Sequence, residues 1–422
     1  MRNSIMVGCD LHDKSMVLKV AEGSAEPVLL RFANTAQGRE AMVAELLERG
    51  RLCRSKRIVL VYEACGLGFG LHDLLRKSGV ECYVLAPTHL PKTPGGRRNK
   101  TDERDAQMLL EQCRGHVLAG NHLPTVWIPP DRLRDDRDLV RTRLDTAEAG
   151  ARIKLQILSL LKRNGIVLPE FFLKHRNWTK IWLRWLQTTS ESLAGGAATV
   201  LRSYVARWEA LQQELSHLDQ AIRDLSETAC YAAPVAALQA LPGVGRLTAM
   251  VFLTEMGDLS RFQNRRQIGA YLGLAPSAFE SGNCDDRKGH ITHQGPSRVR
   301  KVLCQATWAS LWKDPVTKET WERLRNHNPK RSKKAIVALM RRLAIRMWHV
   351  ALACGVDPSL ASPVERMPPL RLDKRGTAPV PSSAIDRPKA SRDEADAMAK
   401  TEGGSGKPRK NNSLSSSTAR RR

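Results

Sequence analysis

The sequence predicts an α/β fold at the N-terminus, followed by a mostly helical remainder. Within the first 120 residues, short apolar runs alternate with amphipathic segments in the order three strands, helix, strand, helix, strand, helix. From about residue 131 onward, apolar residues instead recur mostly at intervals of three, four or seven, which is the spacing of long helices. The last 57 residues contain no Phe, Trp or Tyr, and this composition predicts a disordered basic tail.

Local patterning gives the elements of the α/β part in order. We expect strands at 4–10, 15–20, 28–33, 57–63 and 81–86, and helices at 36–49, 70–78 and about 101–114. Tight turns join the first three strands. A polar loop rich in Gly and Pro precedes the third helix.

Two heptad-like runs, at about 131–162 and 201–225, dominate the middle of the chain. They predict either an antiparallel coiled-coil arm or two helices of an ordinary bundle. The Trp-rich stretch between them is expected to be helical and has no assigned chemistry. We therefore divide the chain into an α/β domain (1–120), a helical region (121–230), a mostly helical C-terminal domain (231–360) and the tail (361–422).

The chain carries 68 Lys+Arg against 43 Asp+Glu, a formal net charge of +25, which predicts a polyanionic partner, nucleic acid before a membrane surface. Residues 287–346 alone balance to +13 and include Trp308, Trp312 and Trp321, so we expect a folded basic surface there. The stretch 366–422 adds +8. No apolar run is long enough to cross a bilayer, and nine isolated cysteines favour a reducing cytoplasm over a disulfide scaffold.

Four acidic residues occupy informative places. Asp10 and Glu63 each end an apolar strand, where a charge is costly unless it has a use, while Asp102 and Asp105 share one face at the start of a helix. Carboxylates grouped in this way suit a hard divalent cation such as Mg²⁺. For Asp102 the alternative is simple helix capping.

The segment Leu241-Pro-Gly-Val-Gly245 has the form of a helix-hairpin-helix turn. In that interpretation, Gly243 and Gly245 let the backbone approach a phosphate at a helix N-terminus. A plain helix-capping turn is the alternative.

Two groups of motifs carry a resemblance to a known family. The first group is Gly8-Cys9-Asp10-Leu11-His12, Tyr62-Glu63-Ala64 and Lys100-Thr101-Asp102-Glu103-Arg104-Asp105-Ala106. The second is Leu241-Pro-Gly-Val-Gly245, Gly273-Leu-Ala-Pro276, Ser281-Gly282, Gly289-His-Ile-Thr292 and Gly295. In order and spacing they resemble the IS110-family transposases, over about 1–120 and 235–350.

The resemblance implies an RNase H/RuvC-like DEDD domain in which Asp10, Glu63, Asp102 and Asp105 hold Mg²⁺ or Mn²⁺. It also implies that Ser281, in the C-terminal domain, is the nucleophile on DNA. A serine hydroxyl needs a base or a metal to activate it, and covalent attachment stores the phosphodiester energy for rejoining. From the residues alone, a turn residue ahead of Gly282 is the favoured interpretation of Ser281, and Ser277 and Ser297 are rival nucleophiles.

Many relatives carry a Lys where His293 follows Thr292 here, so the basic partner of the phosphate is open. Its candidates are Arg287, His293, Arg298, Arg300 and Lys301. For each arginine, the alternative is a solvated helix face.

The resemblance further implies the DNA of the element ends and of the target as substrates, a noncoding guide RNA as partner, and a bacterial, nucleoid-associated location. Strand exchange needs at least two active sites, so we expect a dimer or tetramer. The main hypothesis is a transposase that cuts and rejoins DNA. The alternatives are a metal-dependent junction endonuclease that hydrolyses with water, and a nucleic-acid-binding protein without catalysis.

Overall fold

The computed structural model describes residues 4–54, 57–90, 101–174, 178–278 and 288–355. Five strands form one mixed sheet in the order β3-β2-β1-β4-β5. They are β1 (Ser4–Leu11), β2 (Ser15–Glu22), β3 (Val28–Ala33), β4 (Arg57–Glu63) and β5 (Glu81–Leu85). The first three strands are antiparallel neighbours, whereas β4 runs parallel to β1 and β5 runs parallel to β4. The predicted α/β fold is confirmed, with every strand where its pattern indicated.

Helices cover both faces of the sheet. The helices α1 (Ala36–Leu52) and α2 (Gly70–Lys77) pack on one face, and α3 (Asp102–Ala119) packs on the other. Side chains alternate between the two faces, as the strand period requires. In β1, for example, Ile5, Val7 and Cys9 lie in the core beneath α1 and α2, while Met6 lies in the core beneath α3.

The third helix continues five residues beyond its predicted end. Gly115, at which the sequence pattern breaks, lies inside the helix, and Val117 beyond it packs against the core of the α3 face. Gly120 ends the helix in the left-handed conformation with φ of 73°. Burial of the last turn therefore outweighs the cost of one glycine within it.

Two long helices, α4 (Asp131–Arg163) and α7 (Gly195–Ser226), pack side by side, with α5 (Glu170–Lys174) and α6 (Lys180–Ser192) between them in sequence. Their contacts run in opposite directions along the chain, because Arg143 pairs with Asp219 while Ile153 and Ile157 share a core with Leu201. The two helices are therefore antiparallel. Leu155 belongs to the apolar run of α4, yet it is 67% exposed.

The C-terminal part is mostly helical. It comprises α8 (Ala232–Gln239), α9 (Arg246–Met256), α10 (Arg265–Tyr271), the short strands β6 (Pro276–Ala278) and β7 (Lys288–Ile291), α11 (Ser297–Lys313), α12 (Pro315–Arg325) and α13 (Ser332–Ala353). The first half of α4 packs in the core of this part and its second half packs with α6 and α7. One helix thus ties the middle region to the C-terminal region.

The predicted tail at 361–422 lies outside the described residues. Among the helices that the structure describes, none is long and apolar enough to cross a membrane.

Candidate active site

Asp10 and Glu63 lie next to each other at the ends of two parallel strands. The register between β1 and β4 pairs Cys9 with Tyr62, so the following residue on each strand is an acid. Strand alternation assigns both acids to the face that α3 covers, since Met6 on β1 and Val61 on β4 have the same parity and pack in the core of that face.

A close approach between β1 and α3 brings the other two acids over this edge. Gly8 is buried against the helix backbone, and a Cβ on it would lie 2.2 Å from the Ala106 carbonyl oxygen and 2.2 Å from the Leu110 nitrogen. Only glycine permits this distance. The helix begins at Asp102, after Thr101 caps it by accepting a hydrogen bond from the Arg104 N–H. Asp102 and Asp105 therefore lie in the first turn, near the end of β1.

The electrostatics of Asp10 reflect this crowding. Its side chain is only 15% exposed. Burial raises the pKa of the Asp10 carboxyl above its ordinary value, and the nearby Asp105 and Asp102 carboxylates raise this pKa further, while His12 lowers it. Negative charge is thus concentrated at a partly desolvated position, where a cation would relieve the repulsion.

His12 joins the acids, although the sequence reasoning assigned it no role. Its Nε2 lies 3.0 Å from Asp10 Oδ2 and 3.4 Å from Asp102 Oδ1. One donor atom from each of the three residues lies within 4.8 Å of the others. Glu63 and Asp105 lie outside this compact group. The signal for His12 was available in its position two residues after Asp10, on the same side of an extended chain.

These residues fit a divalent cation. Carboxylate oxygens are the ligands that Mg²⁺ and Mn²⁺ favour, and imidazole nitrogen is a ligand for transition metals. Asp10 and Asp102 supply oxygens from two elements that the Gly8 contact holds in place. The site is therefore a possible acidic metal site near the C-terminal ends of β1 and β4.

Ser281 and Arg287 lie outside the described residues, between β6 and β7 in sequence. Of the two rival serines, Ser277 has its hydroxyl engaged, because Oγ donates to the His290 carbonyl oxygen at 3.0 Å. Ser297 is the first residue of α11. The assignment of the nucleophile stays a prediction.

The two glycines of the predicted phosphate-binding turn have different surroundings. Gly243 adopts φ of 81°, and a Cβ there would lie 2.3 Å from the Ala306 carbonyl oxygen and 2.7 Å from the Ser310 nitrogen on α11. Gly245 precedes α9 and has no neighbouring heavy atom within 4 Å of such a Cβ. Gly243 therefore serves packing, while Gly245 leaves open space at a helix N-terminus.

The predicted basic residues of α11 make contacts within the chain. Arg298 pairs with Asp145 at 3.0 Å and Lys301 pairs with Glu148, both acids lying on α4.

Arg300 donates to the carbonyl oxygens of Leu272, Gln294 and Gly295, and burial lowers the pKa of its guanidinium. These contacts dock α11 on its neighbours.

His293 has a structural setting of its own. It adopts φ of 56°, and its backbone N–H donates to the Gly273 carbonyl oxygen at 3.3 Å. A Cβ on Gly273 would lie 2.2 Å from the Gln294 carbonyl oxygen, so the two loops are in close contact. Whether His293 contacts phosphate stays a prediction.

Comparison with known proteins covers most of the chain. A family model for the DEDD transposases of IS110 matches residues 7–165, and a second, described as Transposase IS116/IS110/IS902 family, matches residues 235–322. The first match contains all four acids, and the second contains the glycine turn and α11.

Individual relatives agree. The chain is 31% identical to the candidate transposase y4qE of Sinorhizobium fredii, over 75% of either protein. It is 24% identical to the transposase for insertion sequence element IS1533 of Leptospira borgpetersenii, over 73% of this chain and 86% of the relative. It is also 26% identical to the pilin gene-inverting protein of Moraxella lacunata, over 59% of this chain and 65% of the relative. The chain therefore belongs to the IS110 family of transposases and is an enzyme that acts on DNA.

Proposed function

We propose that this transposase cuts and rejoins DNA through Ser281, assisted by a divalent cation at Asp10, Glu63, Asp102 and Asp105. The observation that carries the proposal is the meeting of Asp10 on β1 with Asp102 on α3, whose carboxylates lie within one compact group. Such a group gives a divalent cation a place beside a DNA phosphate.

The proposed chemistry is a transesterification. The Ser281 hydroxyl gives up its proton as its oxygen bonds to phosphorus, the bond between phosphorus and a deoxyribose oxygen breaks, and that leaving oxygen takes up a proton. The number of phosphoester bonds is conserved, so a deoxyribose hydroxyl of another strand can reverse the step and release Ser281. A divalent cation bound by the acids would supply positive charge where the phosphate becomes more negative.

The alternative function is metal-dependent hydrolysis by water, as in a junction endonuclease, and it needs only the acidic site. The name of the Moraxella lacunata relative favours the first function, because inverting a gene requires that cut strands be joined again. Hydrolysis leaves ends that must be resealed elsewhere. The third hypothesis, binding without catalysis, does not agree with membership of a transposase family.

A covalent-adduct experiment tests the proposal. The protein is incubated with cognate DNA and Mg²⁺, denatured, and examined for DNA attached to protein. An adduct that Ser281→Ala abolishes and Ser277→Ala preserves is the expected result, since the Ser277 hydroxyl is already engaged with a backbone carbonyl. Metal-dependent cleavage without any adduct would instead support hydrolysis.

The metal part has its own test. Asp10→Asn and Glu63→Gln should abolish cleavage. The control Asp13→Asn neutralises an exposed acid in the turn between β1 and β2, and it should leave cleavage intact. Normal cleavage in Asp10→Asn would overturn the metal site.

The partners are further parts of the proposal. We expect a noncoding guide RNA to bind the basic surface of the C-terminal domain, and a dimer or tetramer in which the antiparallel α4–α7 pair serves as a subunit-pairing arm. Copurification of RNA and its protection from nuclease test for RNA binding. Sedimentation of the complex measures the oligomeric state. The noncoding RNA to test in these experiments is the one encoded in the DNA that flanks the gene.

A further inference from the structure

We infer that His12 contributes an imidazole nitrogen to the cation site of Asp10 and Asp102, and that this nitrogen gives the site a preference for transition-metal ions over Mg²⁺. The inference rests on the metal site of the proposed function. It adds a nitrogen ligand to a set that otherwise offers only carboxylate oxygen.

The interatomic distances carry the inference. His12 Nε2 is the atom that faces both acids, at 3.0 Å from Asp10 Oδ2 and 3.4 Å from Asp102 Oδ1. Adjacent ligands of an octahedral ion at about 2.1 Å from the metal are about 3.0 Å apart. His12 Nε2 therefore lies at roughly the distance from each acid oxygen that separates adjacent ligands of one ion.

Hydrogen bonds fix the backbone at His12, so the fold sets the position from which its side chain reaches the acids. The His12 N–H donates to the Ser15 carbonyl oxygen at 2.9 Å, and the His12 carbonyl oxygen accepts from Asn34 Nδ2 at 2.7 Å. The side-chain oxygen of Asn34 in turn accepts from Arg39 Nε at 2.7 Å. The turn between β1 and β2 is thus held by a residue that follows β3.

Nitrogen ligation has a consequence that a hydrogen bond to Asp10 would not have. Imidazole binds first-row transition ions well, whereas Mg²⁺ strongly favours oxygen ligands and water. Loss of a nitrogen ligand should weaken Mn²⁺ binding much more than Mg²⁺ binding. Loss of a residue that only orients Asp10 should weaken both to a similar extent.

The experiment uses Mn²⁺ as the probe and the full-length chain. Binding of Mn²⁺ is titrated by electron paramagnetic resonance, and Mg²⁺ is measured by its competition. A pulsed measurement on protein labelled with ¹⁵N-histidine detects nitrogen bonded to Mn²⁺. The variants are His12→Asn and, as a matched control, His217→Asn, which changes an exposed histidine on α7.

We expect the wild-type protein to show histidine nitrogen coupling that His12→Asn removes and His217→Asn keeps. We also expect His12→Asn to weaken Mn²⁺ binding by about tenfold or more and Mg²⁺ binding by a smaller factor. Absence of histidine nitrogen coupling in the labelled wild-type spectrum overturns the inference even if His12→Asn does not fold.

Two contrary results separate the inference from the proposal beneath it. If the wild-type protein binds Mn²⁺ without histidine nitrogen coupling, His12 is not a ligand, while the acidic site stands. If the wild-type protein binds Mn²⁺ no better than Asp10→Asn does, the acids do not form a metal site. That result contradicts both the proposed function's metal site and the His12 inference.

Discussion

Gly8 of β1 touches the backbone of Ala106 in α3, and this contact sets the position of the acidic site. A Cβ on Gly8 would lie 2.2 Å from the Ala106 carbonyl oxygen, and backbone atoms cannot yield as the end of a side chain can. We therefore expect Gly8→Ala to push α3 away from the sheet. The free energy of unfolding should fall by about 1–3 kcal/mol, and Asp102 should move relative to Asp10.

Urea denaturation and Mn²⁺ titration measure the two effects of Gly8→Ala. Gly196→Ala is the matched control, because a Cβ on this glycine of α7 meets nothing within 4 Å. This variant should keep both the free energy of unfolding and the Mn²⁺ affinity of the wild type. Unchanged Mn²⁺ affinity in a folded Gly8→Ala protein would show that the contact does not position the site.

Gly243 and Gly245 should respond differently to the same substitution. Gly243→Ala should lower the free energy of unfolding by about 1–3 kcal/mol, because its φ is 81° and α11 backbone atoms lie too close for a Cβ. Gly245→Ala should leave stability within about 0.5 kcal/mol of wild type. It should weaken DNA binding, because the methyl group would occupy the open space where a phosphate approaches. Equal DNA affinity in Gly245→Ala and wild type would leave the turn with a capping role only.

We expect the ion pairs between α11 and α4 to compete with nucleic acid for the side chains of Arg298 and Lys301. Asp145→Asn combined with Glu148→Gln releases Arg298 and Lys301, so DNA should bind more tightly and with a steeper salt dependence. Stability should change by less than about 1 kcal/mol, as is usual for exposed pairs.

A charge-matched control is needed for that double variant. Glu191→Gln combined with Glu214→Gln removes the same charge from exposed positions of α6 and α7. An equal gain in affinity from this control would mean that net charge, and not release of Arg298 and Lys301, is responsible.

The pH dependence of stability should show a contribution from His72. This side chain is buried in α2, and burial lowers the pKa of its imidazole below the usual 6.5, although Asp73 at 3.0 Å opposes the shift. The unfolded chain therefore takes up a proton more readily than the folded chain. Stability is fully present above pH 6.5 and falls as the pH drops below that value, with a slope of at most about 1.4 kcal/mol per pH unit.

Urea denaturation at pH 7.5, 6.5 and 5.5 measures this slope. His72→Gln should flatten the curve across this window, because the substituted side chain takes up no proton. The shift of Asp73, whose pKa is lowered by hydrogen bonds from Arg134 and His72 against the effect of burial, acts only at lower pH. An equally steep curve in His72→Gln would assign the slope to other groups.

The fold was predictable where local patterning decides it and was missed where distant packing decides it. Each strand of the sheet has a clear apolar run with flanking turn residues. The exposure of Leu155 was not predictable from the heptad-like spacing, because it depends on the geometry of a long helix. A straight helix drifts relative to a seven-residue repeat, so over the 33 residues of α4 the buried face moves to Ile153 and Ile157.

The site was predictable in part for a similar reason. Asp10 and Glu63 were identifiable because a charge at the end of an apolar strand is unusual, and strand parity puts both on one face. The position of His12 two residues after Asp10 was a local signal, but its nearness to Asp102 was not predictable, because it depends on a contact between residues 90 positions apart. The contacts of Arg300 with three carbonyl oxygens depend equally on how two loops meet.

Trp312 should contact unpaired bases of bound nucleic acid. Its side chain is 89% exposed on α11, and Trp308, one turn earlier on the same face, is 46% exposed. Both lie in the segment 287–346 with its local charge of +13, and aromatic rings on a basic surface provide stacking positions for bases. Trp312→Ala should weaken single-stranded oligonucleotide binding by about 1–3 kcal/mol, while leaving duplex binding and the free energy of unfolding nearly unchanged.

Fluorescence anisotropy with labelled single-stranded and duplex DNA measures this difference. Leu155→Ala is the control, because it removes another exposed apolar side chain, which is 67% exposed, from a different helix. It should alter neither binding affinity. If Trp312→Ala instead dissociates an oligomer in sedimentation and leaves oligonucleotide affinity intact, the exposed face of α11 binds another subunit. A surface so rich in positive charge favours a polyanion over a second copy of itself, because two such faces repel each other.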